Sequence, residues 1–274
     1  LLFYKNIGEI DMVNTTKRTA LITGASSGIG LELCRILAKN DFNLVLVARS
    51  KKKLEELAEE ITSLHSVEVL VLPEDLSDPT APKRILNALS SKHILIHILV
   101  NNAGFGVHGP FVSTSIEREC EMIGLNILAL TRLTKLFLPG MLSRGEGAIL
   151  NVASTGAFQP GPFIAAYFAT KAYVLSLTEA IAAEVAGSGV KISALCPGPT
   201  RTGFQKAARM EGSRMFGKIN VLDAQRVAQE GYRGLISGKR MIIPGLLNKI
   251  LYFATRLFPR RTVMWAVKGL FRNI

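Results

Sequence analysis

The 274 residues contain no apolar run of about 18 or more, so nothing in the sequence reads as a membrane-spanning helix. Cysteine is scarce. Cys34, Cys120 and Cys196 lie far apart with no CxxC spacing, and His65, His93, His97 and His108 show no ligand spacing. These absences exclude a disulfide frame and a zinc site, leave no metal to expect, and suit reduced thiols in a cytoplasmic protein. Residues 1–16 lack the apolar core and small-residue cleavage site of a signal peptide. With Leu1 first and Met12 ahead of the first strand signal, they read as an N-terminal extension without a role in the fold. There are no internal repeats, low-complexity tracts or linkers. Acidic residues are also missing from one region. Residues 1–200 carry 18 basic and 18 acidic side chains, whereas residues 201–274 carry 15 and 3, so the whole net charge of +12 belongs to the C-terminal end.

What is present is apolar and periodic. Hydrophobic residues make up 48% of the chain, enough for one large domain that buries about three quarters of its surface. Short Val/Ile/Leu-rich runs at 20–23, 44–48, 67–72, 96–101, 148–153 and 190–195 read as buried strands, and 241–245 as a last one. Helical stretches near 28–39, 51–64, 80–91, 115–143, 164–186 and 223–237 alternate with them. This predicts an α/β fold, a doubly wound parallel sheet of about seven strands with ligands at the carboxyl ends. Residues 17–245 form this single domain, and 246–274 follow as a basic amphipathic helical extension.

The first strand runs into TGASSGIG, residues 23–30. Gly24 permits the tight turn, Gly28 lets a pyrophosphate approach the backbone, and Gly30 allows the next helix to pack closely with its N-terminus toward the anion. Arg49 ends the second strand, where a carboxylate would hold the 2′-hydroxyl of NAD. An arginine there accommodates a 2′-phosphate, which favours NADP(H); Lys51 to Lys53 also fit a solvated helix start. Tyr167 and Lys171 stand at i and i+4 of a helical stretch, so the ammonium can approach the phenol. Lowering a phenol from about 10 to about 7 takes about 4 kcal/mol, feasible for a lysine plus a cationic cofactor ring in a dry cleft. That gives a proton donor and acceptor for an alcohol or carbonyl. Alone, the pair is weak evidence and fits an amphipathic helix with a snorkelling lysine better.

Together TGASSGIG, NNAG at 101–104, Asn126, Ser154, Tyr167 with Lys171, and PGPTRT at 197–202 resemble the short-chain dehydrogenase/reductase family. The resemblance runs from about residue 17 to about 240, and points to the shorter-chain branch and to reductases related to ketoacyl and hydroxysteroid reductases. It implies a Rossmann-type fold with Tyr167 as catalytic acid/base, Lys171 lowering its pKa and holding the nicotinamide ribose, and Ser154 polarising the substrate oxygen. It also implies that Asn126 holds a water linking Lys171 to solvent. Gly24, Ser26, Ser27, Gly28, Ile29 and Gly30 would cradle the cofactor with Arg49. Asp75 and Leu76 would contact adenine, and Asn102, Ala103 and Gly104 would lie beside the adenosine. Pro197, Gly198, Thr200 and Thr202 would follow the nicotinamide. Asn101 and Asn102 also suit a purely structural, turn-capping job.

The expected function is an NADP(H)-dependent oxidoreductase acting on a carbonyl or secondary alcohol. The alternative is a non-catalytic dinucleotide-sensing protein, which usually has a broken catalytic set. A sugar-nucleotide epimerase or dehydratase shares the Tyr-Lys pair but has a differently spaced glycine loop and a larger substrate domain. Phe105, Phe111, Phe158, Phe163, Phe204, Met210, Met215 and Phe216 would border an apolar substrate pocket, or simply pack a lid; His108 reads as an ordinary loop histidine. A dimer or tetramer through the helices near 115–143 and 164–186 is implied by resemblance. The tail carries two apolar stripes, Leu246, Leu247, Ile250, Leu251, Ala254, Leu257 and Phe258, then Val263, Met264, Val267, Leu270, Phe271 and Ile274, separated by Pro259. Basic residues and Tyr252 and Trp265 accompany them. They fit peripheral docking on an anionic membrane, a cover for the substrate mouth, or a subunit contact. No reading motif for nucleic acid accompanies the charge.

Overall fold

The computed structural model describes residues 17–204 and 221–271. The N-terminal extension of 1–16 lies outside them, as do Met210, Met215, Phe216 and Ile274 of the expected pocket and tail.

Strands and helices alternate: β1 (Thr19–Thr23), α1 (Gly28–Lys39), β2 (Asn43–Ala48), α2 (Lys51–Leu64), β3 (Val69–Pro73), α3 (Ala81–Ser90) and β4 (Ile96–Asn101). A long helix follows in three parts, α4 (Ile116–Ile123), a π-helical turn (Gly124–Ala129) and α5 (Leu130–Arg144). Then come β5 (Gly147–Val152), a 3-10 turn (Thr155–Phe158), α6 (Ala165–Glu184) and β6 (Val190–Leu195). Two-residue strands β7 (Thr200–Arg201) and β8 (Leu222–Asp223) pair with each other. The remainder is α7 (Ala224–Ile236), β9 (Met241–Ile242), α8 (Leu246–Leu257) and α9 (Arg260–Phe271).

The main sheet has seven parallel strands in the order β3-β2-β1-β4-β5-β6-β9. Helices cover both faces. One layer packs Leu33, Leu37, Leu54, Ile61 and Val227 against Ile22, Leu44 and Leu150, and the other packs Ile85, Leu133, Phe137 and Met141 against Leu21, Val45, Leu99 and Ile149. Burial on both sides is why the central strands are apolar without alternation. The chain reverses direction across the sheet between β1 and β4, which opens a crevice at their carboxyl ends.

Two differences from the sequence reading matter. The stretch expected as one regular helix over 115–143 starts as predicted, with Ser115 accepting from the Arg118 N–H, but widens into a π turn at Gly124–Ala129. The whole helix, Ile116–Arg144, is long and apolar enough to cross a membrane by length and composition alone. It packs instead on β4 and β5 as a core helix does. The second concerns the tail: the stripe of Leu246, Leu247, Ile250, Leu251, Leu257 and Phe258 on α8 is exposed, and polar Asn248 is the buried residue of that helix. On α9 the expected stripe does turn inward, burying Val267 and Phe271.

Candidate active site

Every strand from β1 to β6 delivers residues to one cleft of about 670 Å³ at the carboxyl edge of the sheet. Gly24, Ser26, Ser27, Gly28 and Ile29 follow β1, Arg49 follows β2, Asp75 and Leu76 follow β3, and Asn102, Ala103 and Gly104 follow β4. Ser154 follows β5, and Pro197, Gly198, Thr200 and Thr202 follow β6, while Tyr167 and Lys171 enter from α6. Gly30 and Asn126 are the two expected site residues that do not line it.

The glycine loop is built for close approach. Gly24 and Gly28 have φ of +65° and +57°, the left-handed region. Gly30 lies beneath the loop, where a Cβ would come within 2.3 Å of the Gly24 carbonyl oxygen. Ser27, the N-cap of α1, makes no side-chain bond to the first turn, so the helix presents its N–H groups and positive dipole end to the cleft. Asn102 locks this loop: its Nδ2 donates to the carbonyls of Thr23 (2.9 Å) and Gly24 (3.3 Å), and Thr23 Oγ1 accepts from the backbone N–H groups of Asn102 and Ala103. Asn101 is purely internal, bonding Asn151 and Thr134 across the sheet. This glycine cradle at a helix N-terminus fits the pyrophosphate of a dinucleotide.

At the end of the cleft formed by β2 and β3, Arg49 and Lys53 line it. Burial pushes the Asp75 carboxyl up, but hydrogen bonds from Ser77 and the charge of Arg49 outweigh it and hold the group below its usual range. Glu74 is engaged by the Arg84 guanidinium, with a contact of 2.6 Å. Lys51 and Lys52 face outward toward Glu55 and Glu56, as a solvated helix start would.

At the other end, Ser154 is fixed by its neighbours. Ala153 N donates to the Leu195 carbonyl, Thr155 N donates to that of Pro197, and Ser154 Oγ accepts from Gly156 N at 3.0 Å. Tyr167 and Lys171 are both buried. Lys171 Nζ donates to the Val152 carbonyl at 2.8 Å and lies 5.7 Å from the Tyr167 ring centroid. The lowered phenol expected from the i,i+4 spacing is not what these residues alone produce. Burial pushes Tyr167 up to about 12, which its hydrogen bond with Ser154 only partly offsets, and burial lowers Lys171 to about 8. Desolvation outweighs an ammonium that is itself turned to a carbonyl. Asn126 sits in the π turn, fully buried, with Oδ1 accepting from Phe105 N and Nδ2 donating to the Phe105 carbonyl and Thr170 Oγ1. A Cβ on Gly104 would come within 2.8 Å of Asn126 Oδ1 and would have to displace that amide, whereas Lys171 Nζ at 3.5 Å would be in ordinary contact with it.

The apolar wall is partly the expected one. Phe105, Phe158 and Phe204 line the cleft, with Phe204 5.2 Å from the Tyr167 ring. Phe163 packs beside it in the same aromatic cluster, but Phe111 is 68% exposed and takes no part. His108 lies 6.2 Å from Phe271, and burial holds it below its usual range. Of the three readings open for the tail, the cover over the cleft is the one seen, with α8 and α9 supplying the rest of the wall through Asn248, Leu251, Tyr252, Thr255, Val267, Leu270 and Phe271, of which polar Asn248 was not expected. The Asn248 amide occupies the place of a Gly198 side chain, with Oδ1 2.3 Å from where a Cβ would be. The α9 stripe was the available signal.

Comparison with known proteins gives the family and the fold. Residues 18–212 match the family model for short chain dehydrogenase. Hydroxysteroid dehydrogenase-like protein 1 of Gallus gallus is 34% identical over 215 residues, 77% of this chain, but the chain spans only 64% of that relative's length. A short-chain dehydrogenase from Sphingobium yanoikuyae, solved in complex with NADPH, is 33% identical with a TM-score of 0.80, covering 94% of this chain and 96% of that one. The 3-ketoacyl-(acyl-carrier-protein) reductase of Brucella melitensis, solved with NADH, is 30% identical with a TM-score of 0.72, covering 82% and 96%. The chain belongs to the short-chain dehydrogenase family, is related to ketoacyl and hydroxysteroid reductases, and is an oxidoreductase with a nicotinamide dinucleotide cofactor.

Proposed function

We propose that this protein is an NADP(H)-dependent oxidoreductase that interconverts a carbonyl and a secondary alcohol on an apolar substrate, with Tyr167 as acid/base. The observation that carries this reading is that Ser154, Tyr167 and Lys171 line one end of the cleft whose other end holds the glycine loop and Arg49. NADPH, when bound, supplies the hydride and a ring that becomes positive on oxidation. Tyr167 Oη holds the proton that the substrate oxygen receives. Ser154 Oγ already accepts from Gly156 N, so its own proton is available to the developing oxyanion. Lys171 gives one N–H to Val152 and keeps two for the ribose hydroxyls. Asn126 positions the Phe105 backbone at the pocket wall and, with Lys171, borders the route by which a water would return the proton. Arg49 and Lys53 would face a 2′-phosphate, Glu74 being held by Arg84.

Replacing Tyr167 with Phe is expected to lower NADPH turnover with apolar ketones by about 10²- to 10⁴-fold while NADPH binding stays near wild type. Retention of more than a tenth of the activity would overturn the assignment of Tyr167, and a preference for NADH over NADPH would overturn that of Arg49.

We also infer a division at about Gly245, with 17–245 as the catalytic domain and 246–274 as its cover. Exposed Ile123, Leu128, Leu142 and Tyr173 on the π turn and on α4 to α6 support homo-oligomerisation through those helices. Free cysteines support a reducing, cytoplasmic setting. The exposed outer face of α8 and α9 supports peripheral attachment to an anionic membrane.

A further inference from the structure

A second cavity of about 790 Å³ adjoins the catalytic cleft, beneath the elbow where α8 turns into α9. Phe158, Gln159, Phe168 and Thr255 line both spaces. Beyond them the second cavity is walled by Ala165, Ala169 and Ala172 on one face of α6, and by Phe258 and Val263 of the tail. Among the described residues, Arg260 is the only charged side chain that lines it. The shared boundary is held by aromatic pairs. Phe168 meets Phe271 edge-on at 5.8 Å, and Phe158 meets Tyr252 at 4.5 Å. Gly156 and Gly161 fix the Phe168 ring from both sides, where added Cβ atoms would come within 2.9 and 2.5 Å of it. The Gln159 amide oxygen on this boundary has no hydrogen-bond partner among the described residues.

We propose that the second cavity receives the far end of a long-chain acyl substrate whose keto group lies at Tyr167. The inference rests on the reading of an apolar carbonyl substrate and names its shape. Because the two spaces share Phe158, Gln159, Phe168 and Thr255, a flexible chain bending between these side chains continues from the first space into the second, which a rigid ring system cannot do. The three alanines, one helical turn apart on α6, leave open the volume that larger residues would fill. The mouth at the elbow is rimmed by apolar tail residues and the cationic Arg260.

The test compares kcat/KM for 3-ketobutanoyl-CoA and 3-ketohexadecanoyl-CoA in the wild type, Ala169→Trp and Ala172→Phe. The wild type should gain up to about fourfold per methylene, the equivalent of about 0.8 kcal/mol each, until the cavity is full. Each variant should lose at least about tenfold on the long substrate and little on the short one. A binding readout runs beside it, in which fluorescent 11-(dansylamino)undecanoic acid is displaced by hexadecanoate but not by butanoate, and binds more weakly to both variants. Equal loss on both thioesters, or no gain with chain length in the wild type, would sink the proposal. Reduction of compact ketones with neither thioester accepted sinks it too, but leaves the reductase reading intact. Probe binding and displacement as described, with no carbonyl compound reduced, would instead sink the reductase reading and keep the acyl site.

Discussion

Tyr167 and Lys171 illustrate how a residue's neighbours in sequence and in space can pull its chemistry in opposite directions. Four residues of helix bring an ammonium toward a phenol, yet enclosure raises the phenol to about 12 and depresses the ammonium to about 8. On the proposed reading, the positive charge of an oxidised nicotinamide ring would supply part of the shift that Tyr167 needs at neutral pH, since the phenol is not already tuned by Lys171. Lysine 171 also leaves a mark on stability. Its folded pKa lies below the ordinary 10.5, so between pH of about 8 and 10.5 the unfolded chain binds more protons there and stability rises with pH. Urea unfolding of the cofactor-free protein at pH 7 and pH 10 should show the wild type gaining about 2 to 3 kcal/mol more than Lys171→Met over that interval. Identical pH dependence in the two proteins would refute a buried, depressed Lys171.

At the scale of elements, the cradle proposed for the cofactor is a contact between β1, α1 and β4 rather than a property of the glycine loop. Asn102, arriving from β4, supplies the amide that holds the carbonyls of Thr23 and Gly24, and Gly30 leaves the space that this amide and the Gly24 carbonyl occupy. Gly30→Ala places a methyl against backbone, which cannot give way cheaply. It should cost about 1–3 kcal/mol in thermal or urea unfolding and weaken NADPH binding by at least about tenfold, although Gly30 touches no part of the cleft. Binding within twofold of wild type in a stably folded variant would show that the loop tolerates displacement. The long helix makes a similar point. Its apolar pattern reads as one helix, and the π turn at Gly124–Ala129 falls where Asn126 bonds the Phe105 backbone. Periodicity carries no mark for one extra residue in a turn.

On the scale of the whole molecule, the tail has an inner and an outer face. Its inner face supplies Asn248, Val267 and Phe271 to the cleft wall, and its outer face leaves Leu257 81% and Trp265 78% exposed among Lys249, Arg256, Arg261 and Lys268. Leu257→Asp with Trp265→Asp changes only that outer face. Wild type should co-float with phosphatidylserine-containing vesicles, less so as salt rises, and its sole tryptophan should shift to the blue on binding. The double variant should stay with the soluble fraction at unchanged short-chain activity. Flotation of both alike would refute membrane docking through this face.

The α/β order of elements was legible from the chain because strands buried on both faces must be continuously apolar and helices between them must be amphipathic. So was the gathering of the glycine loop, Arg49, Ser154, Tyr167 and Lys171 at one sheet edge, because a parallel doubly wound sheet brings all its carboxyl ends together. What only the tertiary structure decided were the properties that depend on what covers a residue. The outward turn of the α8 stripe, the burial of Asn248 against Gly198, the cavity behind Phe168 and the raised phenol of Tyr167 all follow from enclosure by segments distant in sequence. Local pattern encodes which face of an element is apolar, but neither the partner that meets that face nor the water its meeting removes.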